Sequence, residues 1–137
     1  EAMSNGFTPA YVAAHQGHTA ALELLVKTPG CDVNQARKDG ATPAFVAAHK
    51  GHTLALELLV KVPGCNVNQV AVSGQTPTYA AARNGMTAAL EVLVKIPGCD
   101  VNQARKDGAT PAFVAAHKGH TLALELLVKV PGCNVNQ

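Results

Sequence analysis

The chain has 137 residues and a mass of 14.1 kDa, about one domain's worth, with 47% hydrophobic residues but 4% aromatics and no tryptophan. A formal net charge of +2 with 15% charged residues argues against the strongly basic footprint of a nucleic-acid binder. No apolar run approaches the ~18 residues of a membrane helix and no signal-peptide pattern opens the sequence, so an intracellular protein of the cytoplasm or nucleus is expected, with no membrane partner.

Taken in order, Thr8-Pro9, Thr42-Pro43, Thr76-Pro77 and Thr110-Pro111 recur every 34 residues, as do Gly17, Gly51, Gly85 and Gly119. A fixed period of this size means one supersecondary unit stacked on copies of itself, with repeats at about 6–39, 40–73, 74–107 and 108–137 forming a single array. Residues 40–73 give one whole unit. Thr42 is the predicted N-cap and Pro43 the first helical residue of a short helix running to about Lys50. Its Ala44, Val46, Ala47 and Ala48 are small enough to let neighbouring helices approach closely, and Gly51 supplies the left-handed residue that ends it. A second helix is predicted from Thr53 to about Val62. It is apolar nearly all round and so is expected to be covered on several sides, with Leu58 and its copy Leu126 in the core. Glu57 and Lys61, like Glu23/Lys27, Glu91/Lys95 and Glu125/Lys129, are spaced i,i+4 with the acid first and mark the outer face. Pro63-Gly64 stops the helix, and Cys65-Asn66-Val67-Asn68 begins an extended loop toward the next unit.

These residues carry a family likeness. Asp39-Gly40-Ala41-Thr42-Pro43-Ala44-Phe45-Val46-Ala47-Ala48-His49-Lys50-Gly51-His52, followed by Leu58-Leu59 and Asn66-Val67-Asn68, closely resembles the ankyrin repeat, four times over along the chain. The resemblance implies an all-α solenoid of helix-turn-helix units joined by hairpin-like loops. Three departures stand out. Ala10, Ala44, Thr78 and Ala112 replace the usual Leu after Thr-Pro, with Tyr11, Phe45, Tyr79 and Phe113 in place of the next His. A Pro before the Gly that ends the second helix lengthens the period from the family's usual value of about 33. The third repeat reads Arg83-Asn84-Gly85-Met86 and lacks the Gly-His pair.

Residues 31–69 and 99–137 are identical at every position, so the unit of copying was a pair of repeats. Solenoids usually close with polar capping repeats, and none is evident. The expectation is head-to-tail stacking between copies, with the segment from Cys133 to Gln137 beside the N-terminal loop of a neighbour.

Chemistry is sparse. Cys31, Cys65, Cys99 and Cys133 are expected about 10 Å apart in stacked helical repeats, too far for disulfides or a shared zinc ion, and are read as reduced, partly buried thiols. The pairs His15/His18, His49/His52 and His117/His120 could suggest metal ligands, but two imidazoles without a third donor make a weak site. The resemblance implies instead that His18, His52 and His120 hydrogen-bond between loops. No phosphate-binding loop, zinc-protease motif or nucleophile with an orienting carboxylate is present, so neither enzymatic activity nor a cofactor is expected. The stripe of Arg37, Lys38 and Lys50 with Arg105, Lys106 and Lys118 is interrupted by Asp39 and Asp107 and has no interleaved aromatics, which disfavours nucleic acid.

What remains is a protein-interaction module. Loop tips and exposed ends of the first helices form the concave binding surface that the resemblance implies. Carried onto this chain it comprises Asn5, Phe7, His15 and Gln16, then Arg37, Lys38, Asp39, Ala41, His49 and Lys50. It continues through Val72, Ser73, Gln75, Arg83 and Asn84 to Arg105, Lys106, Asp107, Ala109, His117 and Lys118. Its basic-to-neutral character suggests a mildly acidic protein partner. The rival reading is a spacer in a longer array or a repeat scaffold without a natural ligand.

Overall fold

The computed structural model describes residues 7–71 and 74–134, and Asn5, Val72 and Ser73 lie outside them. Eight helices follow one another: α1 (Pro9–Gln16), α2 (Thr19–Val26), α3 (Pro43–Lys50), α4 (Thr53–Val60), α5 (Pro77–Arg83), α6 (Thr87–Val94), α7 (Pro111–Lys118) and α8 (Thr121–Val128). Odd-numbered helices pack on one another in one row and even-numbered helices in a second row, each pair joined by its own short turn. No strand is formed among the described residues.

Each first helix starts as the sequence predicts. Thr8, Thr42, Thr76 and Thr110 are extended, and their Oγ1 atoms accept from the backbone N–H three residues on at 3.0–3.1 Å. The following prolines fill the first helical position, where a missing N–H costs nothing. At the other end Gly17, Gly51 and Gly119 are left-handed, with φ of 72°, 77° and 76°. The next N–H reaches back to the last-but-one turn, as in His52 N to Ala47 O at 2.9 Å. That bond closes a Schellman motif and orients the chain for the second helix.

The second helices are shorter than predicted. All four end at the valine two residues before the expected boundary, α4 at Val60. Pro63 disfavours the helical conformation at Val62. The chain leaves in tight turns instead, Val62 N to Leu59 O and Cys65 N to Val62 O, each 3.1 Å. Nor are these helices covered all round. Leu56, Leu59, Leu90 and Leu93 are completely buried, whereas Leu54 and Leu122 are 64% and 67% exposed on the outer side. Leu58 and Leu126, expected in the core, are only half-buried at its edge. The Glu23–Lys27 and Glu91–Lys95 pairs close to 3.7 Å on the same outer side, where such pairs contribute little.

The core is a run of alanines capped by leucines. Ala14, Ala47, Ala48, Ala81, Ala82 and Ala115 have essentially no exposed surface, and small side chains there bring the odd-numbered helices together. Burial depends on position in the stack as much as on sequence. Leu56 of α4 is fully buried while Leu124, at the same position of the identical α8, is half-buried. Substituting Leu56 with Ala should therefore cost about 2–5 kcal/mol by leaving a cavity. Leu124→Ala should cost distinctly less, as urea denaturation of both variants would measure.

Candidate interaction surface

Between repeats the backbone forms hairpin-like turns. Arg37 N donates to Ala41 O at 2.9 Å and Gly40 N to Arg37 O at 2.9 Å, a pattern repeated at Ala71–Gln75 and Arg105–Ala109. Asp39 and Asp107 tighten the tips by accepting from Ala41 N and Ala109 N at 3.0 and 3.1 Å. Beneath the tips runs a ladder of asparagines that the sequence reading missed. Asn34 Nδ2 donates to Gly64 O at 2.7 Å and Asn34 Oδ1 accepts from Asn66 N at 2.8 Å. Asn68 binds Gly98 O and Asp100 N, and Asn102 binds Gly132 O and Asn134 N, in the same way. Each amide thus ties one loop to the next, which explains why asparagine recurs with the period of the chain.

The predicted arginines of the surface are already engaged. Arg37 lies over Phe7 and Tyr11, its Cζ 4.3 and 5.6 Å from the ring centroids, and pairs with Asp39 at 3.4 Å. Arg105 covers Tyr79 at 5.6 Å, reaches its hydroxyl at 3.4 Å and pairs with Asp107 at 3.2 Å. These are cation–π lids that hold a loop over the repeat it follows. At the corresponding place after the second repeat stands Ala71, and there the ring is Phe45, without a hydroxyl. Tyr11 with Arg37 and Tyr79 with Arg105 are therefore one physical pairing, which Phe45 with Ala71 lacks. Phe45 stays half-buried and stacks on His49 with centroids 6.0 Å apart and planes at 11°. Phe113 and His117 repeat the arrangement at 5.9 Å and 7°.

The remaining predicted residues sort by exposure. Ala41 is buried at 4% and offers its side chain to the core, while Ala109 and Gln75 are half-buried. Lys38, Lys106, Gln16, Lys50, His117 and Lys118 are exposed, and His15, His49, Arg83 and Asn84 partly so. His15, Gln16, His49, Lys50, Arg83, Asn84, His117 and Lys118 line up at the C-terminal ends of α1, α3, α5 and α7. None of these four helices contains an acidic residue, so the row is basic or neutral throughout.

Two inter-repeat contacts set its geometry. His52 Nε2 donates to the His15 carbonyl at 3.1 Å, the loop-bridging role implied for it. In the third repeat Met86 stands at that position and cannot donate, and Asn84 takes over. Its Nδ2 donates to the His49 carbonyl at 3.0 Å and to His49 Nδ1 at 2.9 Å. Because the carbonyl can only accept, the amide nitrogen faces His49, and Nδ1 must be an unprotonated acceptor. Burial, followed by the nearby charges of Lys50 and Arg83, also holds the His49 imidazole below its ordinary value.

The cysteines are free, and burial pushes the Cys65 thiol up to about 11 and raises that of Cys99, whose Sγ also meets Thr78 Oγ1 at 3.3 Å. Thiols held protonated in this way are poor nucleophiles at neutral pH. No cluster of three or more His, Cys, Asp or Glu side chains able to hold a metal occurs among the described residues. No helix among them is long and apolar enough to cross a membrane.

His49 gives a direct test of this geometry. Its NMR titration midpoint should fall below the ordinary 6.5. The unfolded chain then takes up the proton first. The His49 contribution to stability is therefore complete above the unfolded value and declines as pH falls through the folded one. Asn84→Ala should move the midpoint back up, since it removes the donor to the neutral ring.

The family model described as ankyrin repeats in three copies matches residues 1–71 and again residues 53–137. No curated protein matches the chain. Matched along its whole length and built of helix-turn-helix units stacked in two rows, the chain belongs to the ankyrin-repeat family.

Proposed function

We propose that the chain acts as one array, divided near residues 39, 73 and 107, that binds an acidic protein segment along the ends of α1, α3, α5 and α7. Ankyrin repeats are generally protein-interaction modules, and the finer reading rests on one observation. The four helices carry His15, His49, Lys50, Arg83, His117 and Lys118 and not one carboxylate, while Asp39 and Asp107 on the neighbouring tips are each paired with an arginine. The row therefore offers positive charge without a facing carboxylate at regular spacing, which suits an acidic protein segment. Arg37 and Arg105 are excluded from the contact set because they lid aromatic rings. Phe45, lacking such a lid, is the apolar element at the centre of the row.

Affinity capture from cytosol tests this reading. The protein should retain a specific partner, and changing Lys50, Arg83 and Lys118 together to Glu should abolish retention without altering the circular dichroism spectrum. Raising the salt concentration should weaken capture in the same direction. Equal capture by both proteins, or none by either, would favour the spacer reading.

A further inference from the structure

We propose that the open side of the Phe45 ring is the anchor point of this surface, and that the segment bound there carries one aromatic side chain between acidic residues. The proposal rests on the acidic-partner reading above and adds the side chain that fixes the segment in place. A contact repeated along the array has one member missing. Arg37 lies 4.3 Å from the centroid of Phe7 and 5.6 Å from that of Tyr11, and Arg105 lies 5.6 Å from that of Tyr79. Beneath these guanidinium groups Tyr11 is 4% exposed and Tyr79 2% exposed. Phe45 holds the same helix position and is only half-buried.

The loop that would close over Phe45 is built in the same way as its neighbours. Ala71 N donates to Gln75 O at 2.8 Å and Gly74 N to Ala71 O at 2.9 Å, the same two bonds that Arg37 and Arg105 make in their turns. The backbone position from which a lid would extend is therefore in place, and a methyl group stands on it. Val70 beside it is 41% exposed, where the other two tips carry the half-buried Ala36 and Ala104. Nor does His49, stacked on Phe45 at 6.0 Å, fill the lid side. At Tyr11 the corresponding histidine, His15, and the Arg37 lid share one ring.

The charges around the ring decide what can seat there. Lys50 ends the same helix, and Arg83 ends α5, which packs beside it. A cationic group from a partner would be repelled by these two. A carboxylate is disfavoured over the negative face of an aromatic ring. A neutral planar side chain has the shape of the guanidinium lids, and carboxylates on either side of it would meet Lys50 and Arg83.

A phage-displayed library of random dodecapeptides, selected on the folded 137-residue chain, tests this. Enriched sequences should place an aromatic residue among Asp and Glu. In a synthetic peptide of the enriched sequence, changing that aromatic residue to Ala should weaken binding about tenfold by fluorescence anisotropy. Ala71→Arg supplies the missing lid together with one more positive charge. It should weaken binding by a similar factor without lowering the melting temperature, whereas charge attraction alone would strengthen it. Should that variant fold poorly, the peptide change on the unaltered protein decides. Acidic sequences without an aromatic residue, or tighter binding to Ala71→Arg, would overturn the proposal and leave the acidic-partner reading standing. Enrichment of non-acidic sequences, or of none, would overturn both.

Discussion

The repeats meet where the left-handed glycine of one packs against the side chain that caps the second helix of the next. A Cβ on Gly17 would stand 2.8 Å from His52 Nδ1, on Gly51 2.6 Å from Met86 Sδ, and on Gly85 2.7 Å from His120 Nδ1. Only glycine adopts this backbone freely and leaves that room. With it in place, the alanine faces of α1, α3, α5 and α7 pack together, the asparagine amides reach the next loop, and the row of basic residues acquires its regular spacing. Stability in such an array belongs to the junctions, since no single repeat buries a core of its own.

Two donors serve the same backbone acceptor in successive junctions. His52 binds the carbonyl of His15, and Asn84 binds that of His49 while Met86 fills the histidine's slot. Substituting a thioether for an imidazole keeps the packing and loses the bond, and the amide two residues earlier replaces it. The consequence is local. His49 has its ring nitrogen held as an acceptor by an amide of the following repeat, beside the unlidded Phe45, whereas the amide that reaches His15 Nδ1 comes from its own neighbour Gln16.

Much of the fold was legible because its signals are local. Thr-Pro starts and glycine stops depend on residues within one turn, and the structure places them where the sequence predicts. The ends of the second helices were overrun by two residues because apolar periodicity continues to Val62 while Pro63 forbids the helix from following it. Coverage of α4 was overestimated for a different reason. An apolar residue on a helix signals burial only if a neighbour exists on that side, and Leu54 has none. The candidate surface was less legible. Arg37 and Arg105 read as free loop charges, and their work over Tyr11 and Tyr79 spans 26 residues of sequence. The pairing of Tyr11 with Arg37 and of Tyr79 with Arg105 was present in the chain, but its meaning needed the loop folded back over the ring.

The helices α4 and α8 have the same sequence, Thr-Leu-Ala-Leu-Glu-Leu-Leu-Val, and differ only in having neighbours on both sides or on one. Native-state hydrogen exchange at low protein concentration, read amide by amide across these two helices, tests whether junctions carry the stability. Exchange should be markedly slower in α4, because opening it disrupts two interfaces where opening α8 disrupts one. Equal protection in the two helices would contradict the account, since it would mean that each repeat is held by its own sequence and not by its place in the stack.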